Sequence, residues 1–501
     1  YSTTTIYAQD EWSVTDELTL TFGARYTKYS NDDKPVLNEN FVARHGYDNQ
    51  NNYDGLDMFE PRFGFNYTHD DDTVVRGGFG LFGGGAPNVW LSNSYGNDGV
   101  RKTFVGCGPS FFGGPDFMTC DDFDGKTTPQ AVKDFLAMGG FSGGDGETNH
   151  IADDFEIPST WKLNLGVERR QDLGFLGDSW LLSADVLFSK VKDAAIYKEL
   201  LMEQTGTAPD GRPIYSEQFP AYDFALTNTD KGKGQVWTLA AEKNFYTEFG
   251  NINFGIGYTY QDITEVNPGN AFIAFEGYSM PASSDFQAET VYNSEYEVHN
   301  RITANLTWTH ELIANNLTTV SLSYTGRDGR HYSQTMRSGA SAAFGGFNDG
   351  QRFASWDGFS SQLLYVPTGE NDDKVTYAEG FDKTAFFDYI NSSDCLASGT
   401  ISRRHGCTSS WINRIDLHIM QEIAISGDHK LELTFDIENL GNLLNDDWGR
   451  AESFLQPFNA PVVDVAIENG QYVYSNFTKP VQTVAKIPSV WKAQFGLRYR
   501  F

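Results

Sequence analysis

What this chain lacks sets the first limits on it. No apolar run in its 501 residues approaches the roughly 18 needed for a membrane-spanning helix, so helical spanning is excluded. Leucine-rich helical periodicity is nearly absent, which argues against a helical fold. Basic residues are outnumbered, 37 Lys and Arg against 67 Asp and Glu, and the formal charge of −30 would repel nucleic-acid phosphates. The four cysteines have no CxxC spacing and no His–Cys cluster that would suggest zinc. The nine histidines are scattered, and HExxH, GxSxG and Walker-type loops are missing. No catalytic constellation is present, so an enzyme is not the expectation. No signal peptide precedes Tyr1; an exported protein would have had its leader removed, or the leader lies outside this sequence.

What is there points to strands. Aromatics make up 15% of residues and Gly numbers 50, while the mean hydropathy is −0.43. The last stretch is the clearest. Trp491, Ala493, Phe495, Leu497, Tyr499 and Phe501 share one side of an extended strand, and Lys492, Gln494, Gly496, Arg498 and Arg500 share the other. About ten residues of tilted strand cross a bilayer, and aromatics mark its two interfaces. A C-terminal Phe501 on such a strand resembles the assembly signal of bacterial outer-membrane barrels. The same alternation recurs along the chain: Leu18–Lys28 sets Leu18, Leu20, Phe22, Ala24 and Tyr26 opposite Thr19, Thr21, Gly23, Arg25 and Thr27.

Short turns, such as Thr15–Glu17 and Asp70–Asp72, alternate with long polar segments near 31–59, 86–157, 201–233, 263–297, 327–408 and 446–487. Transmembrane barrels show this asymmetry, with short periplasmic turns and long extracellular loops. The expected fold is therefore all-β: a transmembrane antiparallel β-barrel, with about 13 strands in this sequence, integral to the outer membrane. Bacterial barrels have even strand numbers with both ends in the periplasm. Counting back from Phe501 puts Tyr1 on the extracellular side. The sequence thus reads as the C-terminal part of a larger barrel, lacking about nine strands if the whole has 22.

The local spacing of the cysteines suggests two small disulfide loops, Cys107 with Cys120 and Cys395 with Cys407, as an oxidising compartment allows. Asp153-Asp154, Asp372-Asp373 and Asp446-Asp447 offer oxygens of the kind calcium takes, although none has EF-hand spacing and Asp-rich turns form without metal. The glycines of Gly77–Gly85 lack the Lys-Ser/Thr and helix of a phosphate loop and fit a strand facing a lumen. Arg25, Lys162, Arg301, Arg414, Asp436, Glu438, Arg498 and Arg500 are lumen-facing by alternation. They would bond a plug or line water. Ligand or partner contact is expected in the outer segments Asn267–Tyr296 and Ala340–Tyr389, where Phe347, Trp356 and Phe359 sit beside flexible backbone.

Three stretches resemble the TonB-dependent outer-membrane receptors, in particular their Oar-like branch. They are Arg76-Gly-Gly-Phe-Gly-Leu-Phe-Gly-Gly-Gly-Ala-Pro-Asn-Val-Trp-Leu-Ser-Asn93, Ile157-Pro-Ser-Thr-Trp-Lys-Leu-Asn-Leu-Gly-Val167 and Phe435-Asp-Ile-Glu-Asn-Leu-Gly-Asn-Leu-Leu-Asn-Asp-Asp-Trp-Gly449. Tyr7-Ala-Gln-Asp-Glu-Trp12 and the terminal strand extend the similarity over nearly the whole chain. The resemblance implies a 22-stranded barrel filled by an N-terminal plug, energised by the TonB complex through a box ahead of that plug, with a small β-sandwich upstream. Plug, box and sandwich are not in this sequence. Implied partners are TonB, the barrel assembly machinery, outer-membrane lipid and lipopolysaccharide, and a small-molecule, peptide or surface-protein ligand. The implied function is import of a scarce nutrient, and siderophore, oligosaccharide, peptide and vitamin are all compatible with these residues. The competing expectation is a barrel serving as surface anchor, adhesin or protein-export partner without active import.

Overall fold

The computed structural model describes residues 1–501 except 85–87, 102–124, 138–144, 217–221, 270, 272, 314–315, 338–342, 345–360 and 428, and excepting the side chains of 131, 135 and 136. Thirteen strands follow one another in a single antiparallel path. They are β1 (Ser2–Ser13), β2 (Leu18–Ser30), β3 (Asp57–Asp70), β4 (Thr73–Gly83), β5 (Ser159–Gln171), β6 (Trp180–Glu199), β7 (Lys233–Thr247), β8 (Gly250–Glu265), β9 (Asn300–Ile313), β10 (Asn316–Arg327), β11 (Ile412–Ser426), β12 (His429–Glu438) and β13 (Lys492–Arg500). Each pairs with the next, the order in which consecutive hairpins assemble.

Connections alternate along this path. At one end they are brief, and local polar groups fold them: Thr15 Oγ1 accepts from the amides of Glu17 and Leu18, and Asp70 Oδ1 accepts from that of Asp72. At the other end they span 31–56, 84–158, 200–232, 266–299, 328–411 and 439–491. Below, these are the turn end and the loop end.

The sheet has two unlike faces. On the apolar face Phe254, Leu306, Leu322, Leu417 and Ile437 lie in register across five strands. Four of these five lie outside the buried core, Leu322 at 38% exposed and Leu306 at 42% among them, and Ile437 alone is buried. Aromatics bound this face. Tyr26, Phe59, Trp237 and Trp411 stand exposed toward the loop end, and Trp12, Tyr67 and Tyr499 toward the turn end. Cross-strand rings meet there, Phe79 on Trp161 at 5.0 Å and Phe435 on Phe495 at 4.6 Å. Such pairs are the unit of sheet stabilisation.

Burial lies elsewhere. The two main hydrophobic clusters are built largely from the long connections. One joins Tyr53, Phe155, Phe224 and Tyr278, and the other Phe344, Tyr365, Phe386, Tyr472 and Tyr474. Here the structure departs from the expected polar loops. His331–Arg337, Asn459–Glu468 and Gln471–Ser475 form the body of a six-stranded mixed sheet over the loop end. Asp223–Thr229 pairs with the extension of β6 and, in parallel, with Thr148–Ile151. The described residues therefore hold 26 strands rather than about thirteen. Most of the extra ones are too short for a two-residue alternation to stand out, and Asp223–Thr229 and His331–Arg337 are buried at most positions regardless of side.

The sheet also does not close on itself among the described residues. β1 pairs with β2 alone, and β13 with β12 alone.

Candidate functional site

The polar face of the sheet carries the charges that alternation assigned to a lumen. Register brings five of the eight together on β11 to β13. Arg414 binds Asp416 at 2.8 Å and Glu438 at 3.3 Å, and Lys492 reaches Glu438 at 3.7 Å. Asp436 takes His418 at 2.5 Å. Glu432, buried between its neighbours, takes Arg500 at 2.6 Å and Arg498 at 3.6 Å. The other three stand apart. Arg25 pairs with buried Glu60 at 3.6 Å, Lys162 lies over the Phe82 ring, and Arg301 has no carboxylate within 4 Å among the described residues.

A second network was not singled out from the sequence, although the same alternation places its members. Arg76 spans two strands, holding Glu168 at 2.5 Å and Asp185 at 2.9 Å. It can do so because its register partner on β5 is Gly166, which in turn faces Asp185 on β6. A Cβ on Gly166 would sit 2.3 Å from Asp185 Oδ1 and 3.2 Å from Arg76 Nε. Gly166→Val is therefore expected to break this bridge and destabilise the sheet by about 1–3 kcal/mol. A lowered temperature for loss of the compact band on unboiled gels would register it, with Gly46→Ala, at a loop helix end, as a control away from the wall.

The loop layer holds a buried polar knot against the end of β8. Arg404 lies over the Tyr292 ring at 4.4 Å and donates to the Val266 carbonyl at 2.6 Å. His405 donates from Nδ1 to the Asn293 carbonyl at 3.0 Å, and its amide donates to Ser333 Oγ. Burial first, then the Arg404 charge, push His405 down to about 3; burial likewise lowers His331. Both rings are neutral in the fold. In the unfolded segment they would take a proton near 6.5, so stability present above that pH is lost as pH falls toward the folded value. The protection factor against hydrogen exchange across 402–408, the intrinsic rate over the observed rate at the same pH, should be constant above pH 6.5 and fall steadily down to about pH 4. Unchanged protection over that interval would contradict the assignment.

Cys395 and Cys407 form a disulfide, Cα–Cα 5.2 Å, which ties the segment after the helix Lys383–Asn391 to the strand at Tyr332. Cys107 and Cys120 lie outside the described residues, as do Phe347, Trp356 and Phe359. Of the acidic pairs, Asp372 is occupied by its own loop, accepting from Tyr365, from the Lys374 amide and from the amide and hydroxyl of Thr368. Those bonds hold its carboxyl below the usual range despite burial. Asp447 takes Arg450, and Asp153 takes Asn51. Among the described residues no three acidic, His or Cys side chains gather as a metal site. Phe501 ends the chain at the turn end, 91% exposed on the apolar side.

A further buried pair was not anticipated. Arg212 holds Asp210 at 2.6 Å, donates to Gln362 Oε1 at 2.9 Å and covers the Phe344 ring. Nothing in the sequence marks its burial, because Gln362 and Phe344, which cover it, come from a distant connection.

The family model described as "Outer membrane beta barrel domain" matches residues 1–447. No curated protein matches the chain. Among solved structures it is similar to a variant of the ferric enterobactin receptor PfeA from Pseudomonas aeruginosa, at 10% identity and TM-score 0.41, covering 99% of this chain and 44% of that one. The ferric preacinetobactin receptor BauA from Acinetobacter baumannii matches at 10% identity and TM-score 0.41, covering 99% and 42%. The FrpB iron transporter from Neisseria meningitidis matches at 10% identity and TM-score 0.40, covering 100% and 44%. The chain spans less than half the length of each.

Proposed function

Because the chain belongs to the outer membrane β-barrel domain family, and is integral to the outer membrane, we propose that it is the barrel portion of a TonB-dependent receptor of the Oar-like branch that imports a scarce nutrient. In this reading the polar face lines the lumen, the apolar face meets lipid, and the long connections stand outside the cell among lipopolysaccharide. Further strands, 22 in all, pair with the free edges of β1 and β13 and close the wall around a plug. TonB acts through a box upstream of that plug, and the barrel assembly machinery recognises the strand ending at Phe501. Passage, not catalysis, is its chemistry.

The observation that supports this most directly is the polar face. Most of its charges are held in pairs, and Gly166, Gly255 and Gly496 admit across them the side chains of Asp185, Asn305 and Thr434. A surface anchor needs an apolar belt, but has no need of a second face lined with charge pairs in this way. The test is the intact mass and N-terminal sequence of the native protein extracted from outer membranes in detergent, followed by pull-down with the periplasmic domain of TonB. A mass well above 55.9 kDa, a plug-like sequence and TonB capture are expected. A native chain beginning at Tyr1, or one that captures a surface protein and no TonB, would overturn the proposal in favour of an anchor.

A further inference from the structure

We infer that Arg301 and Arg327 hold an oxyanion, a carboxylate or a phosphate, between them at the loop end of the polar face. The two residues are direct cross-strand partners on β9 and β10. Like charges placed opposite one another destabilise a sheet pair. Lys190 and Lys233 form one such pair, in which Lys190 donates its ammonium to the Asp230 carbonyl at 2.8 Å. Lys430 and Arg500 also face each other, but Glu422 takes the first at 3.0 Å and Glu432 the second at 2.6 Å. Arg301 and Arg327 have no such acid within 4 Å among the described residues. Arg327, half-buried, donates among the described residues to the main-chain carbonyl of Asp328 alone, at 3.2 Å. The Asp328 carboxylate is turned to Asn300, which it meets at 2.7 Å and 2.9 Å.

Arg330 adds a third charge close enough to bear on Arg327, while itself lying 3.8 Å from Glu295 and over the Phe458 ring. By register Thr259 and Thr303 lie on the same face next to Arg301, the Thr259 hydroxyl meeting that of Thr238 at 3.3 Å. Two planar guanidinium forks with hydroxyls beside them match an oxyanion, which each fork can take with two parallel hydrogen bonds. Such an anion removes the repulsion that the wall itself leaves uncompensated. Its source is either a free anion or a carboxylate presented by another part of the whole protein.

The sign of a stability change decides the matter. The full-length protein, purified in detergent at pH 7.5 and low ionic strength, is melted in sodium phosphate and in sodium chloride of equal ionic strength. Phosphate is expected to raise the wild-type melting temperature by about 1–3 °C relative to chloride. Arg301→Gln and Arg327→Gln should abolish that rise, and Arg301→Lys, which keeps charge but loses the planar fork, should retain less than half of it. Arg414→Gln breaks an ordinary ion pair and should melt lower while keeping the phosphate rise. If phosphate has no effect but both glutamine variants melt below wild type, the anion is a carboxylate from within the protein. If phosphate has no effect and either Arg301→Gln or Arg327→Gln melts at or above wild type, the pair is merely repulsive and the inference fails.

Discussion

Leu322→Arg and Ser323→Arg, adjacent substitutions on β10, are expected to differ by several kcal/mol. Leu322 sits at mid-strand in register with Leu306 and Leu417, on the face read as meeting lipid. An arginine there is set against hydrocarbon, at a cost of about 2–4 kcal/mol near the bilayer midplane. Ser323 points to the other face, in register with Asn305 and Asp416. Its replacement adds a cation beside a carboxylate on a polar surface, where changes stay within about 0.5 kcal/mol. Outer-membrane yield and denaturant unfolding in lipid vesicles read the contrast. Equal tolerance of both arginines would mean that the two faces do not meet different solvents, and the membrane assignment of the strands would fall with it.

The second large effect lies in the loop layer. Phe386 is fully buried in the helix Lys383–Asn391 and meets the rings of Phe381, Phe387, Tyr474 and Phe477. Phe386→Ala should cost about 3–5 kcal/mol. That loss falls on the six-stranded sheet and its disulfide-tied segment, not on the wall. Limited proteolysis of intact cells should then cut between 362 and 475 at least tenfold faster, while the compact band on unboiled gels persists. Disappearance of that band as well would show that wall and layer melt as one unit.

The two regions differ in how far the sequence disclosed them, for one physical reason. A wall strand separates two media, so every second residue of Leu18–Lys28 or Leu431–Glu438 reports its side, and the faces can be read before any partner is known. Arg414, Asp436, Glu438, Arg498 and Arg500 were legible as one face for the same cause. Their grouping needed the register. Arg76 with Glu168 and Asp185 was equally readable by alternation, but its coherence depends on Gly166 lying between them. Most of the layer does not follow this rule, and where it does, as in Gln471–Ser475, the strand is too short to stand out. Val462, Val463, Tyr472 and Tyr474 are all buried, partnered with residues such as Ala208 and Leu364 from other connections. Which aromatic meets which is fixed by tertiary packing, and a polar average conceals it. Expecting polar loops there mistook composition for lack of order.

The make-up of the layer also sets when it can form. One of its clusters draws on residues from Tyr29 to Tyr278, and the other on residues from Ala208 to Tyr474. Contacts of such separation carry a high loop-closure cost until the chain between them is already arranged. The hairpins supply that arrangement, since each turn-end connection is brief and each pairing local. Consolidation at the mouth is therefore the late event, after the strands beneath have found their neighbours. Protease resistance of the outer sheet then serves as a certificate of a finished wall. An intermediate whose strands are paired but out of register would carry the hairpins without the resistance.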